Sequence, residues 1–231
     1  MQRHIFREYD IRGLVDKDLT EDVAHKLGLG LGTTVRRKGG KAVVLGRDCR
    51  ESSDRFRDAM LKGLTSTGID VVDIGVVPTP VTYFAANTLP DVHGLAMITG
   101  SLNPKEYNGF KMGAGKTTFH GHEIQALREL IEKGDFEKGS GKVTPHDIVT
   151  PYQDYVRKTV KVGRKGMKIV VDAGTGDMSF YLMTSDDPVA ATWARVFPEL
   201  FRPGAEMAAL QRAELAHWEP IIKASGFKPE S

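Results

Sequence analysis

The segment GLAMITGSLNPKEYNGFKM, residues 94–112, joins an apolar run to a cluster of turn-forming residues. The run GLAMI has the length and composition of a buried strand. The following TGSLNP cannot continue a strand's hydrogen-bond ladder, so the strand should end in a loop at residues 99–104. Ser101 lies at the tip of that loop, where a rigid strand would hold its hydroxyl exposed, as folds commonly present a nucleophile. Ser101 is therefore a candidate catalytic residue.

Strands and helices alternate around this segment. Helical patterns separate short apolar strands, which are predicted at residues 42–45, 70–74 and 94–98. The alternation predicts an α/β fold with a mixed, mostly parallel sheet and helices on both faces. Ligands bind at the carboxyl ends of the strands in such sheets, which is where the Ser101 loop falls. A returning strand at residues 109–112 would carry Lys111 toward the same end.

The first predicted helix begins at Thr20, a residue type favoured as an N-cap, and two acidic residues follow it. Apolar side chains then recur every four positions, at Val23, Leu27, Leu31 and Val35. Gly28, Gly30 and Gly32 on this helix suggest a dinucleotide-binding fingerprint. However, no strand precedes them, and Thr33 stands where the last glycine should fall. We therefore interpret these glycines as positions of close packing.

Composition indicates an ordinary globular protein. Of the 231 residues, 40% are apolar and 27% are charged, and the 32 basic side chains nearly balance the 30 acidic ones. This balance gives no strong attraction to nucleic acid or to a membrane surface, so neither is expected as a partner. The single cysteine, Cys49, excludes an internal disulfide framework. Because no apolar run reaches the ~18 residues of a membrane span and no signal-peptide core is found, we expect a cytoplasmic protein.

The serine loop carries a family resemblance. TGSLNP followed by YNGFK resembles the phosphoserine loop of the α-D-phosphohexomutases, the phosphomannomutase/phosphoglucomutase group, whose pattern is T-(A/G)-S-H-N-P followed by Y-N-G-(F/Y)-K. FREYDIRG at residues 6–13, GRD at 46–48 and GVVPTP at 75–80 keep the family's order and approximate spacing. The resemblance implies domain I of a mutase that moves phosphate on hexose phosphates through a phosphorylated Ser101. One position departs from the pattern, because the family's histidine is Leu102 here.

The resemblance also assigns roles to individual residues. It implies three catalytic and two substrate-binding residues, namely Ser101, Arg12 and Lys111, and Tyr9 and Asn103. Arg12 suits its role because a planar guanidinium can hold a phosphate with two hydrogen bonds. The alternative for Arg12 is a surface ion pair with a neighbouring carboxylate, Glu8 or Asp10. Lys111 could act as a fixed positive charge or as a proton carrier, and Asn103 could shape the loop.

The cofactor that the resemblance implies is Mg²⁺, bound through the phosphate on Ser101 and through the aspartates of an Asp-Gly-Asp-Gly-Asp-Arg segment. That segment does not occur in the 231 residues. We therefore expect a hexose-phosphate mutase that is catalytically incomplete as this chain alone. The alternatives are a non-catalytic module that binds a sugar phosphate or a protein, and a fused remnant without function.

Three regions are predicted along the chain. Residues 1–145 correspond to domain I, and residues 146–203 to an incomplete second α/β segment, in which KIVVDAGTG at 168–176 matches the start of the family's domain II. Residues 204–231 predict a C-terminal helix that resembles the last helix of the periplasmic solute receptors of tripartite tricarboxylate transporters. Apolar surface left without its domain partner would favour self-association.

Overall fold

A six-stranded sheet forms the centre of residues 1–160, the part of the chain that the computed structural model describes. The strands are β1 (Ile11–Leu14), β2 (Ala42–Arg47), β3 (Asp70–Val76), β4 (Val92–Ile98), β5 (Tyr107–Ala114) and β6 (Val143–Pro145), in the spatial order β1-β5-β4-β2-β3-β6. Strands β4, β2, β3 and β6 are parallel, whereas β5 runs antiparallel to both β4 and β1. The predicted mixed, mostly parallel sheet is confirmed.

Helices cover both faces of this sheet, as predicted. They are α1 (Glu21–Arg37), α2 (Ser53–Ser66), α3 (Thr79–Thr88), α4 (His122–Lys133) and α5 (Val149–Thr159). The larger apolar core packs α1, α2 and α4 against one face, and a smaller core lies between the other face and α3, with side chains of α5 at its edge. None of the helices within residues 1–160 has the length and apolar character needed to cross a membrane. The layering leaves the carboxyl ends of the parallel strands together at one edge of the sheet.

Helix α1 begins where the sequence indicates. The Thr20 hydroxyl accepts a hydrogen bond from the Val23 backbone nitrogen at 3.3 Å, which is the bond of an N-cap residue. The apolar stripe is buried at all four of its positions, Val23, Leu27, Leu31 and Val35. A local pattern with a period of about 3.6 residues was therefore sufficient to place this helix and its buried face.

Helices α1 and α2 approach each other backbone to backbone. A Cβ atom on Gly28 would lie 2.5 Å from the Met60 carbonyl oxygen, and one on Gly63 would lie 2.2 Å from the His25 carbonyl oxygen. Real Cβ atoms do not approach backbone atoms so closely, so the crossing requires glycine at both positions. Gly30 is also closely packed, but against side chains of α4 rather than against a backbone. The interpretation of the helix glycines as close-packing positions is confirmed.

The strands extend further than the sequence indicates. The local pattern ends β2 at residue 45, but the ladder continues to Arg47, because Arg47 pairs with Ile98 on one side and with Val76 on the other. The local pattern does not indicate β1 or β6 at all. Each is short and depends on pairing with one neighbour, β5 and β3 respectively, so tertiary pairing overrides local propensity.

Helix α5 packs on α3 through aromatic rings. The centroid of the Phe84 ring lies 5.3 Å from that of Tyr152 and 5.2 Å from that of Tyr155. Residues 1–160 belong to one compact unit, and the domain boundary proposed at residue 145 stays a prediction. Two further predictions lie outside the described residues. One is the part of the second α/β segment from residue 161 onward, with the strand predicted at residues 168–172. The other is the C-terminal helix predicted at residues 204–231.

Candidate active site

The loop that carries Ser101 leaves the sheet at the carboxyl end of β4. The Thr99 backbone nitrogen still donates to the Gly109 carbonyl oxygen of β5 at 2.9 Å, so the loop begins directly after this bond. Ser101 is partly exposed, and its φ of 55° lies in the left-handed region, which costs a residue with a side chain about 1–2 kcal/mol. The structure therefore places Ser101 near the surface in a strained backbone conformation, a combination found often at functional sites.

A buried arginine holds the inside of this loop. The Arg50 side chain is only 3% exposed. Its guanidinium donates hydrogen bonds to the carbonyl oxygens of three loop residues, Ser101 (3.1 Å), Asn103 (2.6 Å) and Pro104 (2.8 Å), and to that of Tyr107 (2.9 Å), the first residue of β5. The Asp48 carboxylate lies 3.3 Å from the Arg50 Nε atom and accepts a hydrogen bond from the Gly100 backbone nitrogen at 3.2 Å. These two residues, which we name the Asp48/Arg50 clamp, fix the loop to the end of β2.

Further buried polar groups support the clamp. The Asn108 side chain is fully buried and donates to the Ser52 and Ser53 hydroxyls at 2.8 and 3.0 Å. The Ser53 hydroxyl in turn donates to an Asp48 carboxylate oxygen at 2.5 Å. These buried hydrogen bonds tie the loop, β5 and the first turn of α2 together.

Arg12 and Lys111 meet at the carboxylate of Asp10. The Arg12 guanidinium pairs with an Asp10 oxygen, and the Lys111 ammonium lies 3.3 Å from the same oxygen. The ion pair considered as the alternative for Arg12 is therefore present, but it is mostly buried rather than on the surface, with the two side chains 20% and 11% exposed. Burial, and then the negative charge of Asp10, raise the pKa of the Tyr83 phenol on α3. Two cations, a carboxylate and a nearby phenol thus form a polar cluster beside α3.

This cluster lies beside the Ser101 loop. Gly109, which accepts the bond from Thr99 at the start of the loop, is the register partner of Arg12 in β1. Lys111 follows two residues later on β5, and residues two apart on a strand share one face of the sheet. The structure therefore brings Ser101, Arg12 and Lys111, which are far apart in sequence, to one end of the sheet.

The other predicted site residues differ in their placement. Tyr9 is 71% exposed and open to a ligand. The Asn103 side chain donates to the Gly100 carbonyl oxygen at 2.9 Å, which favours the loop-shaping role considered for it. The substrate-binding roles of Tyr9 and Asn103 stay predictions. Leu102, at the position of the family's histidine, is 87% exposed.

Sequence reasoning assigned no role to Asp48, Arg50 or Asn108. For Asp48 the sequence holds part of a signal, because the GRD motif at residues 46–48 marks the end of β2. Strand β2 lies next to β4 in the sheet, and neighbouring parallel strands end at the same edge, so Asp48 should lie near the Ser101 loop. The acceptors of Arg50 have no sequence signal, since they are backbone carbonyls between 51 and 57 residues away. Only the folded loop shows that this side chain reaches them.

The described residues do not assemble a magnesium site. Within residues 1–160 there is no group of three or more His, Cys, Asp or Glu side chains that could hold a metal ion. The carboxylates that contact the loop and the cluster already pair with cations, Asp48 with Arg50, and Asp10 with Arg12 and Lys111. Mg²⁺ is held through oxygen ligands in octahedral geometry, and these paired carboxylates do not form such a set.

The strain at Ser101 leads to a stability prediction. Ser101→Gly should unfold with a free energy about 1 kcal/mol higher than that of Ser101→Ala, because glycine adopts positive φ without steric cost. Both variants lack the hydroxyl, so the comparison isolates the backbone. Ser66, exposed in the last turn of α2, is the control, because there glycine should be less stable than alanine. Urea denaturation of the four variants measures the differences, and equal stability of the two Ser101 variants would contradict the strain.

The fold and the site first define a class of protein. It is a three-layer α/β domain with a serine loop and two cations near the edge of the sheet at which the parallel strands end. The chain belongs to the phosphoglucomutase/phosphomannomutase family, because the model of that family's alpha/beta/alpha domain I matches residues 3–138. This match confirms the resemblance drawn from the serine loop.

Curated relatives and solved structures agree with the family. The phosphomannomutase/phosphoglucomutase of Pseudomonas aeruginosa is 44% identical over 172 residues, which are 74% of this chain and 37% of the relative. The phosphoglucomutase of Neisseria gonorrhoeae is 43% identical over 176 residues, 75% of this chain and 38% of the relative. The crystal structure of a phosphoglucomutase/phosphomannomutase family protein from Burkholderia thailandensis superimposes with a TM-score of 0.68 and 40% identity, over 71% of this chain and 37% of that one. The chain thus spans less than two fifths of the length of these relatives.

The C-terminal region matches a different family. Residues 146–218 match the model of an uncharacterised protein family, UPF0182. This match does not support the predicted resemblance of residues 204–231 to transporter solute receptors. The local helical pattern on which that resemblance rested is common to many unrelated helices, so it had little power to identify a family.

Proposed function

We propose that Ser101 carries a phosphoryl group and exchanges it with a hexose phosphate, the chemistry that the names of the relatives describe. The observation that carries this proposal is the Ser101 loop, strained and held from inside, with Arg12 and Lys111 on the neighbouring strands. A phosphoryl group in transfer is stabilised mainly by positioning and by positive charge near its oxygens. A serine whose backbone is held in place, with two cations at the same end of the sheet, supports both requirements.

In the proposed transfer, the Ser101 hydroxyl oxygen attacks the phosphorus of a hexose bisphosphate. The bond between that phosphorus and the sugar oxygen breaks, Ser101 loses its hydroxyl proton, and the sugar oxygen gains one, so the products are phosphoserine and a hexose monophosphate. Lys111 is the proposed proton donor to the sugar oxygen; the Ser101 hydroxyl proton passes to the surrounding water, from which Lys111 regains a proton. Arg12 would hold phosphate oxygens with its planar guanidinium. In the opposite direction, phosphorylated Ser101 donates its phosphoryl group to the free hydroxyl of a hexose monophosphate and forms a bisphosphate. When that bisphosphate has turned over, its other phosphate returns to Ser101 and the isomeric monophosphate is released.

Three further parts of the proposal, on Mg²⁺, Tyr9 and Asn103, rest on the family resemblance. Mg²⁺ would neutralise charge on the phosphate, but no step is assigned to it, because residues 1–160 do not assemble its ligands. Tyr9 is the proposed sugar contact, since its exposed ring precedes the Asp10 cluster directly in the chain. Asn103 would act on the substrate through the shape of the loop.

The proposal is tested by phosphate uptake. The purified chain is incubated with glucose 1,6-bisphosphate, and its intact mass is followed with time. We expect the mass to rise by one phosphoryl group, located at Ser101 by fragmentation, and Ser101→Ala to show no increase. Absence of any uptake by the wild-type chain, under conditions in which the Pseudomonas aeruginosa relative is phosphorylated, would refute the proposal.

Turnover is a separate question from a single transfer. Because the Asp-Gly-Asp-Gly-Asp-Arg segment does not occur in the sequence, we propose that this chain alone accepts phosphate but converts little glucose 1-phosphate to glucose 6-phosphate. A coupled assay with Mg²⁺ and bisphosphate measures this conversion. Calorimetric titration of Ser101→Ala with hexose phosphates tests the alternative, a module that binds the sugar phosphate without transfer. Light scattering at several protein concentrations tests the expected self-association.

Leu102 offers a gain-of-function prediction. Leu102→His should speed phosphate uptake by Ser101 about tenfold, because one added hydrogen bond to a charged phosphate stabilises it by roughly 1.5 kcal/mol. The side chain is 87% exposed, so the change should leave the free energy of unfolding nearly unaltered. Time-resolved intact mass measures the rate, with Leu102→Gln as a polar control. A histidine variant no faster than the wild-type chain would show that this position does not act on the transfer.

A further inference from the structure

Arg50 is a buried charged residue whose guanidinium binds mainly backbone carbonyl oxygens. Its guanidinium is almost fully buried, and the atoms that it contacts in the loop are backbone oxygens spread over residues 101–107. The Pro104 carbonyl oxygen also accepts a hydrogen bond from the Tyr107 backbone nitrogen at 3.0 Å, but the loop forms no ladder or helix at Ser101 and Asn103 that would satisfy their carbonyls. The five fixed donors of one arginine can reach several of them together, which lysine, with three donors on one nitrogen, does less well.

Asp48 places this guanidinium and holds the loop as well. One carboxylate oxygen of Asp48 lies near the Arg50 Nε atom and accepts a hydrogen bond from the Gly100 backbone nitrogen. The other oxygen accepts hydrogen bonds from the Ser53 hydroxyl and from the Arg50 backbone nitrogen. A Cβ atom on Gly100 would lie 2.4 Å from the Arg50 Cζ atom, so the loop backbone lies directly on the guanidinium. The clamp therefore contacts the loop on both sides of Ser101.

The clamp acts on the two properties that make Ser101 reactive. It holds the residues around the left-handed backbone of Ser101, which would relax to a commoner conformation in a free loop. It also draws the loop carbonyl oxygens inward, so that their partial negative charges face Arg50 rather than an incoming phosphate. Misplacement of a reacting group by about 1 Å can slow a reaction roughly 100-fold.

We propose that Asp48 and Arg50 are positioning residues for phosphoryl transfer, which set the placement of the Ser101 hydroxyl without touching the substrate. This inference rests on the proposed function of Ser101 and adds to it the residues that make the hydroxyl competent. It predicts that loss of the clamp slows transfer at saturating donor but leaves donor affinity almost unchanged, because the cations that would hold the donor belong to the other cluster.

The test compares Arg50→Met, Arg50→Lys and Asp48→Asn with the wild-type chain. The rate of phosphate uptake on Ser101 is measured against the concentration of glucose 1,6-bisphosphate. We expect Arg50→Met to lower the maximal rate about 100-fold with little change in the half-saturating concentration. Arg50→Lys should recover part of this loss, since it restores the charge and up to three donors. The maximal uptake rate of Asp48→Asn should lie between those of Arg50→Met and Arg50→Lys, because asparagine keeps the shape of the side chain and one acceptor oxygen but loses the negative charge.

Arg57→Met is the matched control. Arg57 also lies partly buried and paired with a buried carboxylate, Asp73, but it makes no contact with residues 100–107 among the bonds that the structure shows. The Arg57→Met variant should be less stable than the wild-type chain but should take up phosphate at the wild-type rate. The inference would be overturned if Arg50→Met took up phosphate at the wild-type rate, or if Arg57→Met lost as much of the uptake rate as Arg50→Met.

Hydrogen exchange separates this inference from the proposed function. In Arg50→Met the amides of residues 100–107 should exchange faster, while those of β2 and β4 keep their protection. If the wild-type chain takes up no phosphate, the proposed function fails, and the exchange result alone decides whether the clamp holds the loop. If Arg50→Met does not fold, Arg50→Lys and Asp48→Asn carry the same comparison. Unchanged loop exchange in all three variants would overturn the inference.

Discussion

Replacing Lys111 by alanine should slow phosphate transfer to Ser101 by about 100-fold to 10,000-fold, the range found when a general acid or base is removed. Lys111 lies on β5, its side chain is 23% exposed, and it pairs with Asp10 beside Arg12. The amine is therefore held next to the second cation at the end of the sheet that carries Ser101. No other lysine of residues 1–160 has an ion pair with Asp10.

Lys105 provides the control for this prediction. It is an exposed residue of the same loop, four residues after Ser101, and we interpret it as a solvated turn residue. Lys105→Ala removes the same charge from the same region and should leave the rate nearly unchanged. The transfer rate is measured by quenching the reaction at fixed times and recording intact mass. Equal rates for Lys111→Ala and Lys105→Ala would mean that only the net charge of the region matters.

Lys111→Arg distinguishes the two roles left open for this residue. Arginine keeps a positive charge at the position but stays protonated at all working pH values, so it cannot exchange a proton with the sugar oxygen. If Lys111 acts as a fixed charge, the arginine variant should recover most of the rate. If Lys111 carries a proton, the variant should remain as slow as Lys111→Ala. The fold should survive both changes, because Asp10 keeps its pairing with Arg12.

The sequence was sufficient for elements whose signals are local. The Thr20 cap and the stripe from Val23 to Val35 define α1 through contacts between residues three or four apart, and the apolar run before Thr99 defines β4. The Ser101 loop follows from the turn-forming residues after β4. Because these signals depend on neighbours in the chain, they can be recognised before the fold is known.

The rest of the site depends on distant contacts. Arg12 and Lys111 were named by family resemblance, but their meeting at Asp10 requires the pairing of β1 with β5. Arg50 lies in a polar segment that local reasoning treats as a surface loop, and only the folded chain buries it against carbonyls of the Ser101 loop. A buried cation that binds backbone carbonyls produces no periodic pattern in the sequence from which its contacts could be predicted. For this reason the candidate residues Ser101, Arg12 and Lys111 could be named from the sequence, whereas the buried groups that support the loop could not.

Gly28→Ala should lower the free energy of unfolding by about 3 kcal/mol, the upper end of the usual cost of overpacking. Alanine is the better helix former by about 1 kcal/mol, so propensity alone predicts the opposite sign. The added methyl group would lie 2.5 Å from the Met60 carbonyl oxygen and 3.0 Å from the Leu64 backbone nitrogen. Backbone atoms cannot rotate away as a side chain can, so α1 and α2 would have to separate.

Separation of these helices would loosen the larger apolar core, because Leu27 and Leu31 of α1 and Met60 and Leu64 of α2 are fully buried there. Lost packing at several side chains adds to the local clash, whereas a single clash at a surface residue would be relieved at little cost. The effect should appear in urea denaturation as a lower midpoint with an unchanged slope, since the surface exposed on unfolding stays nearly the same.

Gly30→Ala is the matched control, because it makes the same substitution two residues later on the same helix. There the new methyl group would lie 2.8 Å from the Leu127 Cδ1 and Ile131 Cγ1 atoms and 3.0 Å from the Ile131 Cδ1 atom. These are all side-chain atoms, which rotations can move, whereas the atoms that face Gly28 belong to the backbone. The gain in helix propensity should offset much of that cost, so the free energy of unfolding should change by less than about 1 kcal/mol. If Gly30→Ala destabilises the protein as much as Gly28→Ala, the α1–α2 crossing does not depend on backbone contact at Gly28. A smaller effect at Gly30 would show that the hardness of the contacted atoms, more than the distance alone, determines where this helix requires glycine.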